Sequence, residues 1–255
     1  MKKPLLIDLD GVLRIGNQLA NHTKKFLEFI VDSQIPACIL SNSTLFTSLE
    51  IKNFFREEAI EYNIPIITTS DAALIYAKEK YKKVSVYCKE NVKLLFNDII
   101  DDDNPEAVII GDMGQMWNFK ILNEIFHKVV NGAELIALQI NKYWKNENGE
   151  LLLDVGPFIK AIEYATDKRA TLIGKPSPLY FQLALKALGA TVKDSFVMLG
   201  DDIDSDIAGA KKLDAITILI YTGKTRKPLA KNVSVLPDYE ADDLINVIDV
   251  LKKIM

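Results

Sequence analysis

Short apolar runs rich in β-branched residues alternate along this chain with segments whose apolar residues recur at helical spacing. Residues 5–9 and 37–40 are runs of the first kind, and residues 23–32 lie between them with Phe26 and Ile30 on one face. Because parallel strands need a crossover connection, usually a helix, this βαβ opening predicts a parallel sheet. The alternation continues along the chain and predicts an α/β fold with a doubly wound parallel sheet.

The remaining elements follow from the same two periodicities. The predicted strands are residues 66–67, 84–88, 107–110, 134–139, 195–199 and 215–220, and a hairpin over 143–153 turns at residues 146–149. The predicted helices are residues 47–57, 70–80 with Ser70 as the N-cap, 118–130, 157–165, 178–188 and 241–253. The first rhythm resumes after Gly174, so we expect a core of residues 1–80 and 171–255 and a smaller α/β domain of residues 81–170 inserted into it.

Charge and hydropathy exclude several classes of protein. The chain is 49% hydrophobic, which is too apolar for a wholly disordered protein, and 31 Lys and Arg against 35 Asp and Glu give a net charge of −4. This charge has the wrong sign for binding a phosphate backbone, so we expect no nucleic acid partner. Apolar runs of strand length and the absence of a recognisable export signal predict a cytoplasmic protein without a membrane span.

The ends of four predicted strands are unusually polar. Ligands of an open parallel sheet bind beyond the carboxyl ends of its strands, so the residues there carry the most information about function. These segments are residues 8–11 (Asp-Leu-Asp-Gly), 41–44 (Ser-Asn-Ser-Thr), 174–176 (Gly-Lys-Pro) and 200–202 (Gly-Asp-Asp). Each alone is an ordinary turn, helix cap or solvated lysine. Their joint occurrence in this order favours a catalytic site.

These residue types suit phosphoryl chemistry. Carboxylates that lie together repel one another, and a hard cation with oxygen ligands keeps them ionised, so Mg²⁺ is the expected cofactor. An Asp can attack phosphorus, and a covalent aspartyl-phosphate divides one difficult displacement into two easier ones. A second carboxyl group can protonate the leaving oxygen and later activate water, while lysine, hydroxyl and amide groups stabilise developing charge. The sequence therefore contains the parts of a phosphohydrolase.

The four segments together resemble the motifs of the haloacid dehalogenase superfamily of phosphatases. The large insertion between the second and third motifs, and the string at residues 174–178 (Gly-Lys-Pro-Ser-Pro), are similar to subclass IIA of that superfamily. The resemblance covers nearly the whole chain and implies a Rossmann-like core with an inserted α/β cap. Residues 153–158, 174–178, 198–202 and 208–210 further resemble phosphatases of this subclass that act on phosphoamides and pyrophosphate.

By matching position, the resemblance implies that Asp8 is the nucleophile and Asp10 the general acid and base. Mg²⁺ would bind Asp8, the backbone carbonyl of Asp10, and Asp201. Ser41 and the Asn42 backbone would hold phosphoryl oxygens.

The third motif supplies Lys175, which would neutralise charge on the phosphoryl group and on Asp8. Asp206 would orient the metal ligands and the neighbouring charges without itself binding the metal. Asp202 is an alternative metal ligand to Asp201, because residues 201–206 contain four acids. At position 43 this chain departs from many relatives with this cap, which have Asn in place of Ser43. The presence of Asp10 argues against the dehalogenase branch, which does not need an acid for the leaving group there.

The resemblance assigns specificity to the inserted cap. Within its hairpin, Lys142, Tyr143 and Trp144 offer a cation and two rings for an anionic or planar leaving group. The alternative, equally open from the sequence, is that Tyr143 and Trp144 cover the sheet of the cap. We expect a small phosphorylated metabolite as substrate, and the outward sheet of the cap could support a homodimer, as in relatives.

Three other functions compete with hydrolysis. A receiver-type signalling module also uses acidic strand ends and a lysine, but it would be about half as long and lack the insertion. A catalytically silent scaffold would keep the fold alone, whereas here every charged position of the motifs is present. A phosphotransferase would pass the phosphoryl group to an acceptor other than water, and the sequence does not separate this function from hydrolysis.

Overall fold

The computed structural model describes residues 2–145, 150–230, 233 and 235–255. The strands are β1 Leu5–Asp8, β2 Arg14–Ile15, β3 Gln18–Leu19, β4 Ala37–Ser41, β5 Ile66–Thr68, β6 Val84–Tyr87, β7 Ala107–Ile110, β8 Glu134–Ala137, β9 Tyr143–Lys145, β10 Leu151–Leu153, β11 Thr171–Leu172, β12 Val197–Gly200, β13 Ile216–Ile220 and β14 Tyr239–Ala241. The helices are α1 Thr23–Asp32, α2 Ser48–Glu57, α3 Thr69–Lys80, α4 Glu90–Lys93, α5 Phe119–Val130, α6 Val155–Thr166, α7 Pro178–Ala187, α8 Ala208–Lys211 and α9 Leu244–Ile254.

The chain forms two compact units. The first, here called the core unit, contains residues 1–41, 49–67 and 175–255, and the second, the inserted unit, contains residues 42–48 and 68–174. Helix α3 belongs to the inserted unit on the basis of its contacts, whereas the sequence predicts it in the core domain. The division into a catalytic core and a cap at residues 80 and 170 stays a prediction.

The core unit contains a six-stranded sheet with the order β14-β13-β12-β1-β4-β5. From β1 the chain first adds strands on one side, and after the insertion it returns to add β12, β13 and β14 on the other. The pairings of β1 with β4 and β12, and of β13 with its two neighbours, are parallel. The strand order therefore reverses between β1 and β12, which is where open α/β sheets bind ligands.

Both faces of this sheet are covered, as the predicted doubly wound fold requires. Alternate residues of β1, including Leu5 and Ile7, pack in a cluster with residues of α1, α2 and α9. Leu6 points to the opposite face because successive side chains of a strand alternate. Helix α7 packs on that side of the core unit, against β1, β4 and α8, and its Tyr180 and Phe181 are fully buried. The predicted fold class is confirmed.

The inserted unit has its own parallel sheet and core. Its sheet has the order β11-β8-β7-β6, with parallel pairings throughout. Helices α5 and α6 pack together and contribute residues such as Ile125 and Ile159 to the core of this unit. Strands β9 and β10 form the predicted antiparallel hairpin, whose turn at 146–149 lies outside the described residues. In the part of the chain that the structure describes, no helix has both the length and the apolarity to cross a membrane.

The predicted start of α3 was wrong. The N-cap is Thr68, whose side chain accepts a hydrogen bond from the Asp71 backbone N–H, while the Asp71 carboxylate accepts one from the Thr68 backbone N–H. This reciprocal pair satisfies two N–H groups that a helix terminus otherwise leaves unpaired, so it outcompetes a cap at Ser70.

Candidate active site

Three aspartates meet at the carboxyl ends of the two central strands of the core unit. Asp8 is the last residue of β1, Asp201 follows β12, and Asp206 lies in a π-helical turn over Ile203–Ile207. All three are buried, and one carboxylate oxygen from each lies within 4.8 Å of those of the others. The reversal of strand order thus brings together residues that are almost 200 positions apart in the chain.

Lys175 is the cation of this cluster. Its ammonium group forms ion pairs with Asp8 and, at 2.7 Å, with Asp206. The lysine side chain is only 2% exposed. A lysine so deeply buried is charged only because carboxylates compensate for the water that it has lost.

The pKa values of these groups are shifted by burial and by each other. Burial raises the pKa of Asp8 well above its usual range, Asp206 and Asp201 add to this effect, and Lys175 opposes it. Burial also raises the pKa of Asp201 to about 6, with a further contribution from Asp206. Burial by itself would lower the pKa of Lys175, but Asp206 and Asp8 outweigh it and raise that pKa. The site therefore has an excess of negative charge that burial makes costly.

The donor set of this cluster fits a divalent cation. One ammonium group balances one of the three carboxylates, and the charge that remains equals that of a divalent ion. Carboxylate oxygens are the ligands that hard cations such as Mg²⁺ prefer. Asp8 and Asp201 were predicted ligands, and the third carboxylate of the cluster is Asp206, whereas the prediction for Asp10 concerned only its backbone carbonyl.

A loop that the sequence analysis missed holds Asp201 in place. This loop follows β13, and its Lys224 backbone N–H donates to Asp201 Oδ2. A Cβ on Gly223 would lie 1.9 Å from Asp201 Oδ2, and a Cβ on Gly11 would lie 2.4 Å from it, so only glycine permits this approach. The Thr222 hydroxyl donates to the Gly11 carbonyl and ties the loop to the first motif. The loop could have been found by the rule that strand ends carry the site.

Asp202 and Asp206 have different partners. Asp202 caps the π-helical turn, accepting from the backbone N–H groups of Asp204 and Ser205, and pairs with the Lys224 ammonium. Burial would raise its pKa, but the hydrogen bond and the charge of Lys224, together with the hydrogen bonds from Asp204 and Ser205, outweigh burial and lower that pKa. Asp206 instead pairs with Lys175 and accepts from the Asp202 backbone N–H at 3.1 Å. In this geometry Asp206 supports Lys175, and Asp202 shapes the turn that carries Asp206.

Asp10 lies outside the carboxylate cluster, where it contacts Ser41 and Arg14. Its Oδ2 accepts a hydrogen bond from the Ser41 hydroxyl at 3.2 Å, and its Oδ1 pairs with Arg14. Ser41 is itself anchored by Tyr180, whose hydroxyl accepts from the Ser41 backbone N–H at 3.2 Å and lies 2.8 Å from its carbonyl oxygen. Sequence reasoning missed Arg14 and Tyr180, because nothing in their local context marks them as partners of strand-end residues.

The other predicted site residues belong to the inserted unit. Asn42 opens its first segment, and its side-chain oxygen would lie 2.8 Å from a Cβ built on Gly174. Lys142 is exposed at the start of the β9 hairpin, where Tyr143 and Trp144 are 60% and 49% exposed. The two rings therefore do not form a buried cover over a sheet. Their role in specificity stays a prediction.

Comparisons with known proteins match most of this chain. A profile of the haloacid dehalogenase-like hydrolases matches residues 5–99, and a second, HAD-hydrolase-like profile matches residues 172–247. Haloacid dehalogenase-like hydrolase domain-containing protein 2 of Bos taurus is 30% identical over 250 residues, which are 97% of this chain and 95% of the relative. Phospholysine phosphohistidine inorganic pyrophosphate phosphatase of Homo sapiens is 34% identical over 188 residues, 73% of this chain and 68% of that protein.

The fold also matches solved structures along nearly its entire length. The p-nitrophenyl phosphatase from Archaeoglobus fulgidus superposes with a TM-score of 0.90 at 24% identity, covering 98% of this chain and 99% of that one. The NagD protein of E. coli superposes with a TM-score of 0.85 at 23% identity, covering 95% and 97%. The resemblance predicted from the motifs is confirmed.

Proposed function

This chain belongs to the haloacid dehalogenase-like hydrolases and is a phosphatase of subclass IIA, and on that premise we propose a Mg²⁺-dependent hydrolysis of small phosphorylated molecules through an aspartyl-phosphate. The observation that carries the proposal is the buried cluster of Asp8, Asp201 and Asp206 around the Lys175 ammonium. A structural role would not explain three buried carboxylates with one cation, because burying unbalanced charge destabilises a fold.

Asp8 is the nucleophile of the proposed reaction. One of its carboxylate oxygens forms a bond to phosphorus while the bond from phosphorus to the leaving oxygen breaks. Lys175 pairs with Asp8 and holds positive charge beside the oxygens of the transferring group. Water then attacks the aspartyl-phosphate, releases inorganic phosphate and restores the carboxylate.

Asp8 and Asp201 would hold Mg²⁺ together with the Asp10 backbone carbonyl, and Asp206 lies close enough to orient the site. When bound, Mg²⁺ neutralises charge on the phosphoryl oxygens and on the ionised carboxylates. The raised pKa values of Asp8 and Asp201 are consistent with this function, because a nearby divalent cation would favour their ionised forms.

Asp10 is the acid and base, and Ser41 and Asn42 bind the phosphoryl group. Asp10 would give a proton to the leaving oxygen and later take one from the attacking water. Its contact with Ser41 is consistent with a carboxyl group that lies beside the phosphoryl site. The hydroxyl of Ser41 and the backbone N–H of Asn42 would donate to phosphoryl oxygens.

Residues of the inserted unit would select the substrate. Lys142, Tyr143 and Trp144 present one cation and two rings to solvent, a surface suited to an anionic or planar leaving group. Phosphoamides and pyrophosphate, the substrates in the name of the human relative, are the first compounds to test beside phosphate esters. A homodimer through this unit stays a prediction.

The test is phosphate release from a panel of esters, phosphoamides and pyrophosphate, with Mg²⁺ or with EDTA. We expect release only with Mg²⁺, and none from Asp8→Asn. The matched control is Asp32→Asn, which changes an exposed Asp of the same unit at the end of α1 and should keep full activity. Full activity in Asp8→Asn would refute the assignment of Asp8 as the nucleophile.

Two further measurements distinguish the alternatives. Borohydride reduction of an aspartyl-phosphate yields homoserine, which mass spectrometry should find at position 8 after brief turnover. Phosphate release without any acceptor except water supports hydrolysis. A phosphotransferase would instead release the leaving group only when an alcohol is added, and the phosphoryl group would be found on that alcohol and not as inorganic phosphate.

A further inference from the structure

Arg14 forms an ion pair with the proposed acid and base. Its Nε donates to Asp10 Oδ1 at 2.9 Å, and its Nη2 lies 2.7 Å from the same oxygen. The other oxygen, Oδ2, accepts from the Ser41 hydroxyl. The two oxygens of Asp10 thus have different neighbours, a guanidinium on one side and a predicted phosphate-binding hydroxyl on the other.

A tight turn returns Arg14 to the side of Asp10. The Gly11 backbone N–H donates to the Arg14 carbonyl at 2.7 Å, and the Arg14 N–H donates to the Leu9 carbonyl at 2.9 Å. Gly11 has a φ of 90°, which only glycine adopts at little cost. These backbone hydrogen bonds therefore hold the Arg14 main chain beside Asp10, and the Phe54 ring packs against the guanidinium that reaches the carboxylate.

Arg14 is much more deeply buried than its partner Asp10. The Arg14 side chain is 8% exposed and packs with its guanidinium 5.6 Å from the Phe54 ring centre, while the Asp10 side chain is 47% exposed. An ion pair with a half-exposed acid contributes little to stability. A planar guanidinium that is itself held in place and donates from two nitrogens to one oxygen is, however, well suited to hold Asp10 in one orientation.

We propose that Arg14 is a positioning residue that fixes the Asp10 carboxyl with Oδ2 on the side of Ser41. This inference rests on the proposed function. Since Oδ1 receives the guanidinium donors, the proton given to the substrate comes from Oδ2. In that step the Oδ2–H bond breaks and a bond from hydrogen to the leaving oxygen forms, while phosphorus passes from that oxygen to Asp8.

The reaction itself offers a readout that a purely structural role would not change. A general acid matters most for a poor leaving group and least for an acidic phenol. Phenyl phosphate and 4-nitrophenyl phosphate differ little in size but strongly in their leaving groups. The ratio of their kcat/KM values, which report on formation of the aspartyl-phosphate, therefore measures how well Asp10 is positioned.

The experiment compares this ratio in wild type, Arg14→Met and Arg14→Lys. General acid catalysis contributes about 10²–10⁴-fold, so we expect Arg14→Met to lose at least about tenfold more kcat/KM on phenyl phosphate than on 4-nitrophenyl phosphate. Arg14→Lys keeps the charge without the fork of two donors and should lie between. In an Asp10→Asn background, Arg14→Met should not change the ratio further.

The control is Lys211→Met, which removes a different ion pair of the core unit, that of Lys211 with Asp238 at 2.6 Å, and should leave the ratio at the wild-type value. Melting temperatures verify that each variant folds, and Arg14→Lys carries the test if Arg14→Met does not fold. Equal losses on both esters would overturn the inference while leaving the proposed function intact. If wild type with Mg²⁺ hydrolyses neither ester, the proposed function itself fails.

Discussion

Removal of a single buried hydroxyl, in Tyr180→Phe, tests how the core unit holds the end of β4. The Tyr180 hydroxyl is fully buried, accepts from the Ser41 backbone N–H at 3.2 Å, and lies 2.8 Å from the Ser41 carbonyl and 2.6 Å from that of Ile67. It therefore links α7 to the ends of two neighbouring strands, and one of them carries the predicted phosphate-binding serine.

The expected magnitude follows from the number of hydrogen bonds lost. A hydroxyl has one hydrogen, so it donates to one of the two carbonyls at a time while it accepts from Ser41. Each such bond contributes about 0.5–1.5 kcal/mol, so losing two should lower the free energy of unfolding by about 1–3 kcal/mol. For a chain of this length, that loss corresponds to a fall in melting temperature of about 2–12 °C.

The assay is thermal and urea unfolding of Tyr180→Phe beside Tyr221→Phe. Tyr221 donates to Glu240 at 2.6 Å in an exposed position, so the control removes a hydroxyl group that water can replace. We expect the control to lie within about 0.5 kcal/mol of wild type. If both variants unfold at the same temperature and the same urea concentration as wild type, the Tyr180 hydroxyl does not anchor Ser41, and the reasoning from buried hydrogen bonds is refuted.

Three further predictions concern the carboxylate cluster and the inserted unit. Burial raises the pKa of Asp201 to about 6, so the folded protein binds the proton of this carboxyl group more tightly than the unfolded chain does. In EDTA, the free energy of unfolding of wild type relative to that of Asp201→Asn should therefore fall by up to about 3 kcal/mol as pH rises from about 4 to 6. Urea titrations measure this difference, and no change across that range would contradict the shift. Gly11→Ala brings a Cβ against Asp201, so the Mg²⁺ concentration for half-maximal activity should rise about 10–100-fold, whereas Gly16→Ala, also at positive φ but in open space, should leave it unchanged. Trp144→Ala should reorder the kcat/KM values of a substrate panel, while Tyr164→Ala, which removes another exposed ring of the same unit, should keep the wild-type order.

Several features followed from local sequence because they depend on neighbouring residues. The strand Ala107–Ile110 and the helix Thr23–Asp32 have the predicted bounds, since each is a run of one periodicity between polar ends. Some strands of two or three residues, among them Thr171–Leu172 and Tyr239–Ala241, were missed because too few residues show a period. Pairing with a neighbouring strand defines them, and no local pattern does.

The resemblance placed Lys175 beside Asp8, because this lysine follows the missed strand Thr171–Leu172. The sequence by itself determined which polar segments follow the strands that lead to Asp8 and Asp201, and hence that these two acids would meet. That inference needs only the strand order of a doubly wound sheet, which the alternation of elements already implies. The partners of these residues were decided by the tertiary structure. Asp206 rather than Asp202 pairs with Lys175, and the loop at Gly223 encloses Asp201.

Those choices depend on register, on backbone direction and on which side chains share one small volume. Ser41 and Tyr180 are separated by 139 residues, and only the packing of α7 on the sheet makes them neighbours. Arg14 is close to Asp10 in the chain, yet whether it turns toward that acid or toward solvent depends on the hydrogen bonds of a turn and on the Phe54 ring. Periodicity specifies which face a residue occupies, but the atoms it touches are set by the three-dimensional packing around it.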